Sequence, residues 1–191
     1  MDPRIARSRD AVVDATKDLL EEVGFAGLTI DGIAKRSGVA RTTIYRQWPS
    51  LPELLSDVGA MVGCYVAPDQ TDDPIADIRA ILRALRDALD DEWGRILPCL
   101  VDAAARDDEI RGLMAARVRE RRAPTTAALN RLAKRGDLPS GSDLEALTDR
   151  LGAPIFYRRL ITQQPVDDRY IDELVDAVLA SSRFSPASGV T

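Results

Sequence analysis

Thr29-Ile-Asp-Gly-Ile-Ala-Lys-Arg-Ser-Gly-Val-Ala-Arg-Thr-Thr-Ile-Tyr-Arg-Gln-Trp48 is the stretch that decides the fold. Thr29 stands where an N-cap is needed, and Asp31 places negative charge in the first turn after it. Ile30, Ile33 and Ala34 share one face of a short helix that extends through Ser37. Gly38 breaks that helix and Val39 packs inward. A second short helix then runs from about Ala40 to Gln47, with Ile44 as its inward residue. Two short helices joined by a Gly-containing turn form a helix-turn-helix, whose second helix projects and can lie in the major groove. The outward residues of that helix are Arg41, Thr42, Thr43, Tyr45 and Arg46, with Gln47 beside them. Arg reads guanine O6 and N7, Thr packs its methyl against thymine, and Tyr and Thr hydroxyls hold phosphate. Thr is a mediocre helix former, so a purely structural helix has no need of Thr42-Thr43.

Upstream, Val12, Val13, Leu19, Leu20 and Val23 recur at helical spacing and predict an amphipathic helix over 9–23, ended by Gly24. Phe25 follows as a core anchor. Residues 1–8 read as a short arm, with Arg4, Arg7 and Arg9 able to reach phosphate or minor groove, or as a solvated terminus. Downstream, Ser50 and Glu53 make a capping box for a helix to about Val66. The acidic loop 67–74 carries Asp69, Asp72 and Asp73, read as solvated and capping residues rather than as a metal site. Further helices are expected over 75–93 (stopped by Gly94), 96–105 and 107–135, the last kinked or split at Pro124. Arg117, Arg119, Arg121 and Arg122 spread round that long helix, which favours a solvated, ion-paired face over a second nucleic-acid patch. Ser142-Asp143 caps the next helix, bent at Gly152-Ala153-Pro154; a last helix spans about 167–182, and the tail from Phe184 is loose.

Composition sets the class. Aromatics are 5% of the chain against 45% hydrophobic residues, so the core is built from Ala, Leu, Val and Ile, and no long period-2 alternation occurs. The fold is expected to be all-α. The net charge of −5 is unevenly spread, with a slightly basic head on an acidic body, and 23 of the 26 basic residues are Arg. The chain has no His, no Gly-rich phosphate loop, no Cys-x-x-Cys and no Gly-x-Ser-x-Gly. Nothing therefore points to an enzyme, a cofactor or a metal. Cys64 and Cys99 read as buried free thiols in a reducing compartment. With a polar N-terminus and no apolar run near the roughly 18 residues that span a bilayer, the expectation is a cytoplasmic protein without a membrane partner.

Gly24-Phe25, Leu28-Thr29, Ile33-Ala34, Ser37-Gly38-Val39, Thr43-Ile44-Tyr45 and Trp48 resemble the DNA-binding domain of the tetracycline-repressor-type regulators, over roughly residues 9–58. The resemblance implies that the second short helix is the recognition helix. It also implies that Tyr45 and Thr29 contact phosphate, and that a fourth helix links the head to the body and transmits ligand state. Two positions depart from the pattern. Ala40 stands where many members carry a small polar cap, and Leu51 where many carry a phosphate-holding lysine, which predicts a weaker salt slope. Arg135-Gly136-Asp137-Leu138-Pro139, the Gly152-Ala153-Pro154 helix with Phe156-Tyr157-Arg158, and the Asp-rich start of the last helix resemble one C-terminal type of the same family. That resemblance implies a homodimer through a four-helix bundle.

The expected organisation is a helix-turn-helix domain at 1–50, a helical effector-binding and dimerisation domain at 51–184, and a tail at 185–191. Leu147, Leu151, Ile155, Ile171, Leu174, Val175 and Val178 are the expected dimer interface. Trp93, Met114, Phe156 and Tyr157 are the candidates for an effector pocket, on size and adaptability alone. The functional expectation is a repressor that binds a double-stranded, palindromic DNA operator as a homodimer and is released by a small-molecule effector. The alternatives are an activator of the same fold and, in a different class, a helical ligand-binding or interaction protein without specific DNA binding. The Arg41-Thr42-Thr43-Tyr45-Arg46 set weighs against the latter.

Overall fold

The computed structural model describes residues 3–62 and 68–182. The first helices are α1 (Pro3–Gly27), α2 (Ile30–Ser37), α3 (Arg41–Gln47) and α4 (Leu51–Val62). They are followed by α5 (Pro74–Asp90), α6 (Glu92–Arg106), α7 (Asp108–Arg135), α8 (Leu144–Phe156) and α9 (Asp168–Ser182), with a π-helical turn at Tyr157–Ile161 between the last two. No strand occurs among the described residues. The fold is all-α, with an N-terminal helix-turn-helix followed by a helical C-terminal region. The helices gather into two compact units that do not follow chain order: residues 1–64 with 91–118, and residues 65–90 with 119–191. By packing, α4 and α6 belong with α1–α3, so no boundary between units falls at residue 50.

The core of the first unit joins Val12, Val13 and Leu20 of α1, Ile33 of α2 and Ile44 of α3. Leu54, Leu55 and Val58 of α4, Ile96, Leu100 and Ala103 of α6, and Ile110 complete it, with Phe25 packed at its edge. Helix α1 starts at Pro3, which replaces the expected arm with helix; the side chain of Arg4 lies outside the described residues. Gly24 interrupts α1 as expected: its φ of 67° is a conformation that only Gly adopts freely, and one further turn follows to Gly27. Polar contacts line the α1–α6 seam. Lys17 Nζ lies 2.7 Å from Asp14 and 3.0 Å from Glu92, Arg95 pairs with Glu21 at 3.2 Å, and the Cys99 thiol donates to the Leu20 carbonyl at 3.4 Å. Burial pushes the Cys99 thiol up from its ordinary pKa, so it stays protonated; Cys64 lies outside the described residues. At Gly59 of α4 an added Cβ would come within 3.2 Å of Leu100 Cδ1, so the side-chain-free position lets α4 run close to α6. Helix α6 begins at Glu92, not at Ile96: the break falls at Asp91, whose backbone is extended, and Gly94 lies inside the helix.

The second unit buries Ile78, Ile81, Leu82, Leu85 and Leu89 of α5 with Ala128, Leu129 and Leu132 of α7. Into the same core go Leu147, Leu151 and Ile155 of α8 and Ile171, Val175 and Val178 of α9. These last six are residues expected to face a partner. They are at most 7% exposed within one chain, and Leu174 is half-buried, so the expectation is corrected: they fill the chain's own core and have little surface left for a second copy. Three arginines of α5 face three aspartates of α9. Arg79 reaches Asp176 at 2.6 Å, Arg83 reaches Asp172 at 2.8 Å, and Arg86 reaches Asp168 at 2.6 Å. The hydrogen bond from Arg86 holds the Asp168 carboxyl below the usual carboxylate range.

The acidic loop is a structural lock. Asp77 is buried and accepts from Thr71 N (3.1 Å), Thr71 Oγ1 (2.7 Å) and Arg131, while Arg135 donates to the Asp72 carbonyl at 2.7 Å. Burial alone would raise the Asp77 pKa, but the bonds from Thr71 and Arg131 outweigh it and hold the carboxyl low. Helix α7 runs unbroken past Pro124, so the expected split does not occur. Arg122 pairs with Glu145 at 2.8 Å and Asp149 at 2.6 Å. Gly152, Ala153 and Pro154 lie inside α8, and the π-helical turn begins three residues after Pro154. Among the described residues no group of three or more His, Cys, Asp or Glu is placed to hold a metal ion, and no helix is long and apolar enough to cross a membrane. The expected loose tail from Phe184 lies outside the described residues.

Candidate nucleic-acid interface

Helix α2 is closed at both ends by its own sequence. Thr29 is extended (φ −138°, ψ 150°) and its Oγ1 accepts from Gly32 N at 3.1 Å. Gly38 is left-handed (φ 71°, ψ 9°), and its N–H donates to the Ala34 carbonyl at 3.0 Å. One side chain that sequence reasoning missed ties α2 to α1. Arg36 forks onto Glu22 with Nη1 at 2.9 Å and Nη2 at 2.5 Å, and has Asp18 at 3.6 Å. The fork holds the Glu22 carboxyl below its usual range. The separation of 14 positions between the partners hid this pair from any local pattern.

Helix α3 lacks such closure. Ala40 makes no side-chain cap, as expected, and only backbone bonds from Thr43 N (2.8 Å) and Ile44 N (3.1 Å) to its carbonyl start the helix. What holds α3 is tertiary. Ile44 is fully buried, and Trp48, at the end of the helix, is buried with its indole N–H donating to Asp57 Oδ2 at 2.8 Å. The same oxygen accepts from Arg9 Nη2 at 2.8 Å, so Arg9 is engaged within the protein rather than reaching out from an arm. Asp57 was also missed; a Trp so placed needs a buried acceptor, but nothing local in the sequence names it. Leu51 is half-buried against the same core, which explains what the departure from lysine supplies. Ser50 Oγ caps α4 by accepting from Glu53 N at 3.3 Å.

Around buried Ile44, α3 exposes Arg41, Thr42, Tyr45 and Arg46, while Thr43 and Gln47 are half-buried; Thr29 is exposed at the start of α2. Arg41 Nη1 donates to Asp31 Oδ1 at 2.5 Å, a bond that raises the Arg41 pKa further. The structure thus brings the predicted contact residues onto one short helix and the capping turn before it. The effector candidates are not gathered in this way. Trp93 is buried in α6 and Met114 packs against the core of the first unit; Phe156 is half-buried and Tyr157 is 59% exposed, both in the second unit.

Residues 12–58 match the family described as bacterial regulatory proteins, tetR family, and residues 67–178 match the tetracyclin repressor-like C-terminal domain. The chain belongs to the TetR family of transcriptional regulators. This TetR-family protein is 31% identical over 176 residues to the HTH-type transcriptional regulator YdeS of Bacillus subtilis (strain 168), covering 91% of this chain and 88% of that one. It is similar to the crystal structure of the TetR family transcription regulator SCO0332 at 32% identity and a TM-score of 0.65, over 91% of this chain and 97% of that one. It shares its fold with MexZ, a repressor from Pseudomonas aeruginosa, at 23% identity and a TM-score of 0.71, over 96% and 98% of the two chains. The TetR-family regulator is therefore a DNA-binding transcriptional regulator, not an enzyme, and α2 and α3 are its helix-turn-helix.

Proposed function

We propose that this regulator is a repressor that binds a palindromic operator as a homodimer, in the cytoplasm, and is released by a small-molecule effector. The observation that carries the DNA contact is the exposed face of α3: Arg41, Thr42, Tyr45 and Arg46 surround a helix whose inner residue, Ile44, is wholly buried. Tyr45, half exposed, and Thr29 hold phosphate and set register; Arg41 and Thr42 reach base edges, with Thr43 and Gln47 at the margin. A two-fold dimer presents two such helices to half-sites separated by about 34–36 Å or a multiple of it.

Large apolar side chains left exposed in the second unit support the dimer. Tyr157 is 59% and Ile161 is 69% exposed on the π-helical turn, whereas the other apolar residues of α8 and α9 are largely occupied by their own core. Repression is supported by the role of MexZ, which has the same fold. Release by an effector requires only that it bind the two states of the protein with different affinity; a difference of about 1–3 kcal/mol changes operator affinity 5–150-fold.

Fluorescence anisotropy with duplexes from the DNA flanking the protein's own coding region tests the reading. Wild type should bind one duplex far more tightly than random DNA, and Tyr45→Ala should weaken both. Binding no tighter than to random DNA, with Tyr45→Ala silent, would overturn it. Sedimentation of Ile161→Asp should show a monomer that binds operator weakly.

A further inference from the structure

Arg41 and Arg46 lie on the same seven-residue helix but are held differently. Arg46 is exposed and makes no ion pair or hydrogen bond with its side chain among the described residues. Arg41, the first residue of α3, is tied by Nη1 to Asp31 Oδ1 at 2.5 Å, and Asp31 belongs to the first turn of α2. The side chains are 61% and 70% exposed, so burial does not force them together. A guanidinium is a rigid plane whose N–H groups point in fixed directions. Tying Nη1 therefore restricts where the Nε–Nη2 edge points, and that edge carries no bond among the described residues. It is a two-donor edge of the kind that pairs with guanine O6 and N7. The carboxylate also offsets the charge of Arg41, which makes it a weak generic ligand for phosphate, since affinity for any duplex grows with the charge a protein brings to it.

We propose that Asp31 is a specificity-determining positioning residue, which holds Arg41 to read a guanine in the operator and at the same time lowers affinity for DNA of other sequence. The proposal rests on α3 being the helix that enters the groove. On this view the two arginines divide the work: Arg41 reads a base, and Arg46 supplies charge to the backbone.

The test uses the full chain and a randomised duplex library, from which wild type selects its preferred site. Wild type, Asp31→Ala, Arg41→Lys and the double variant are then titrated against that site, against single-base-pair variants of it, and against random duplex at several salt concentrations. Asp31→Ala should bind random duplex more tightly, with a salt slope steeper by about one. It should also lose about tenfold of its preference at one G·C pair. Arg41→Lys should lose preference at that same pair, and the double variant should lose no more than Arg41→Lys alone. Asp31→Ala also removes the first-turn acid of α2, so its melting temperature should fall slightly, whereas Arg41→Lys should melt with wild type. If Asp31→Ala shifts affinity for every duplex by one common factor, Asp31 is only a repelling charge and the proposal falls. Loss of preference at different base pairs in the two single variants overturns it as well. A wild type that selects no site at all would instead overturn the DNA-reading role of α3, and this inference with it.

Discussion

Helices α2 and α3 are adjacent and nearly equal in length, eight and seven residues, yet they are stabilised by different means. Helix α2 carries its own start and stop: a Thr29 cap, Asp31 in the first turn, Lys35 and Arg36 in the last, and a left-handed Gly38. Helix α3 has no side-chain cap and no acid in its first turn, and depends on Ile44 and Trp48 being gripped by the core and by Asp57. Isolated helices this short are not stable in water, so both need the core. Only α3 relies on it for its ends. The difference suits the proposal that the first turn of α3 meets DNA: Arg41 and Thr42 occupy positions where acids would favour the helix dipole but repel phosphate.

The largest expected effect is on the tertiary hold of α3. Ile44→Ala should destabilise the protein by about 3 kcal/mol, read by chemical denaturation, because a fully buried side chain leaves a cavity. Trp48→Phe shrinks a buried indole to a single ring and removes the bond to Asp57; a loss of about 2 kcal/mol is expected, with weaker operator binding in anisotropy. Thr29→Ala should cost about 1 kcal/mol by uncapping α2. Ala40→Ser should run the other way, gaining about 0.5 kcal/mol in thermal melting by giving α3 the cap it lacks. A destabilised Ala40→Ser would show that α3 cannot use a cap in this setting.

The smallest effect concerns pH. Arg36 lowers the Glu22 pKa in the folded protein, so the unfolded chain binds that proton more readily. The stabilisation is present above the ordinary Glu value of about 4.3 and is lost as pH falls through the lowered folded value. Glu22→Gln should thus be slightly less stable than wild type at neutral pH and converge with it in acid, as followed by melting from pH 7 to 3. A gap that widens in acid would assign the wrong sign to the Arg36–Glu22 fork.

The helix-turn-helix was readable because its signals are local. Caps, a glycine break and an inward Ile at Ile33 and Ile44 lie within one turn of the structure they specify. The same reading went wrong where helix-breaking residues met tertiary packing. Pro124 and Gly94 sit inside continuous helices, where packing along the rest of each helix outweighs one lost backbone bond or one flexible residue, and Pro3 opens a helix at the one position where its missing N–H costs nothing. It went wrong again for the apolar stripes of α8 and α9. Periodicity shows that Leu151, Ile155, Ile171 and Val175 need cover, but it cannot say whether α5 and α7 or a second chain supplies it.

The sequence by itself determined that the chain is helical, that α2 and α3 form a helix-turn-helix, and which residues of α3 face outward, since each follows from spacing over a few residues. Tertiary structure alone decided the rest. It grouped α4 and α6 with the head, set Asp57 between Arg9 and Trp48, joined Arg36 to Glu22, and brought Asp31 to Arg41. Those partners are 9 to 48 residues apart, and a charged or indole N–H side chain finds its acceptor only once the helices carrying both have packed.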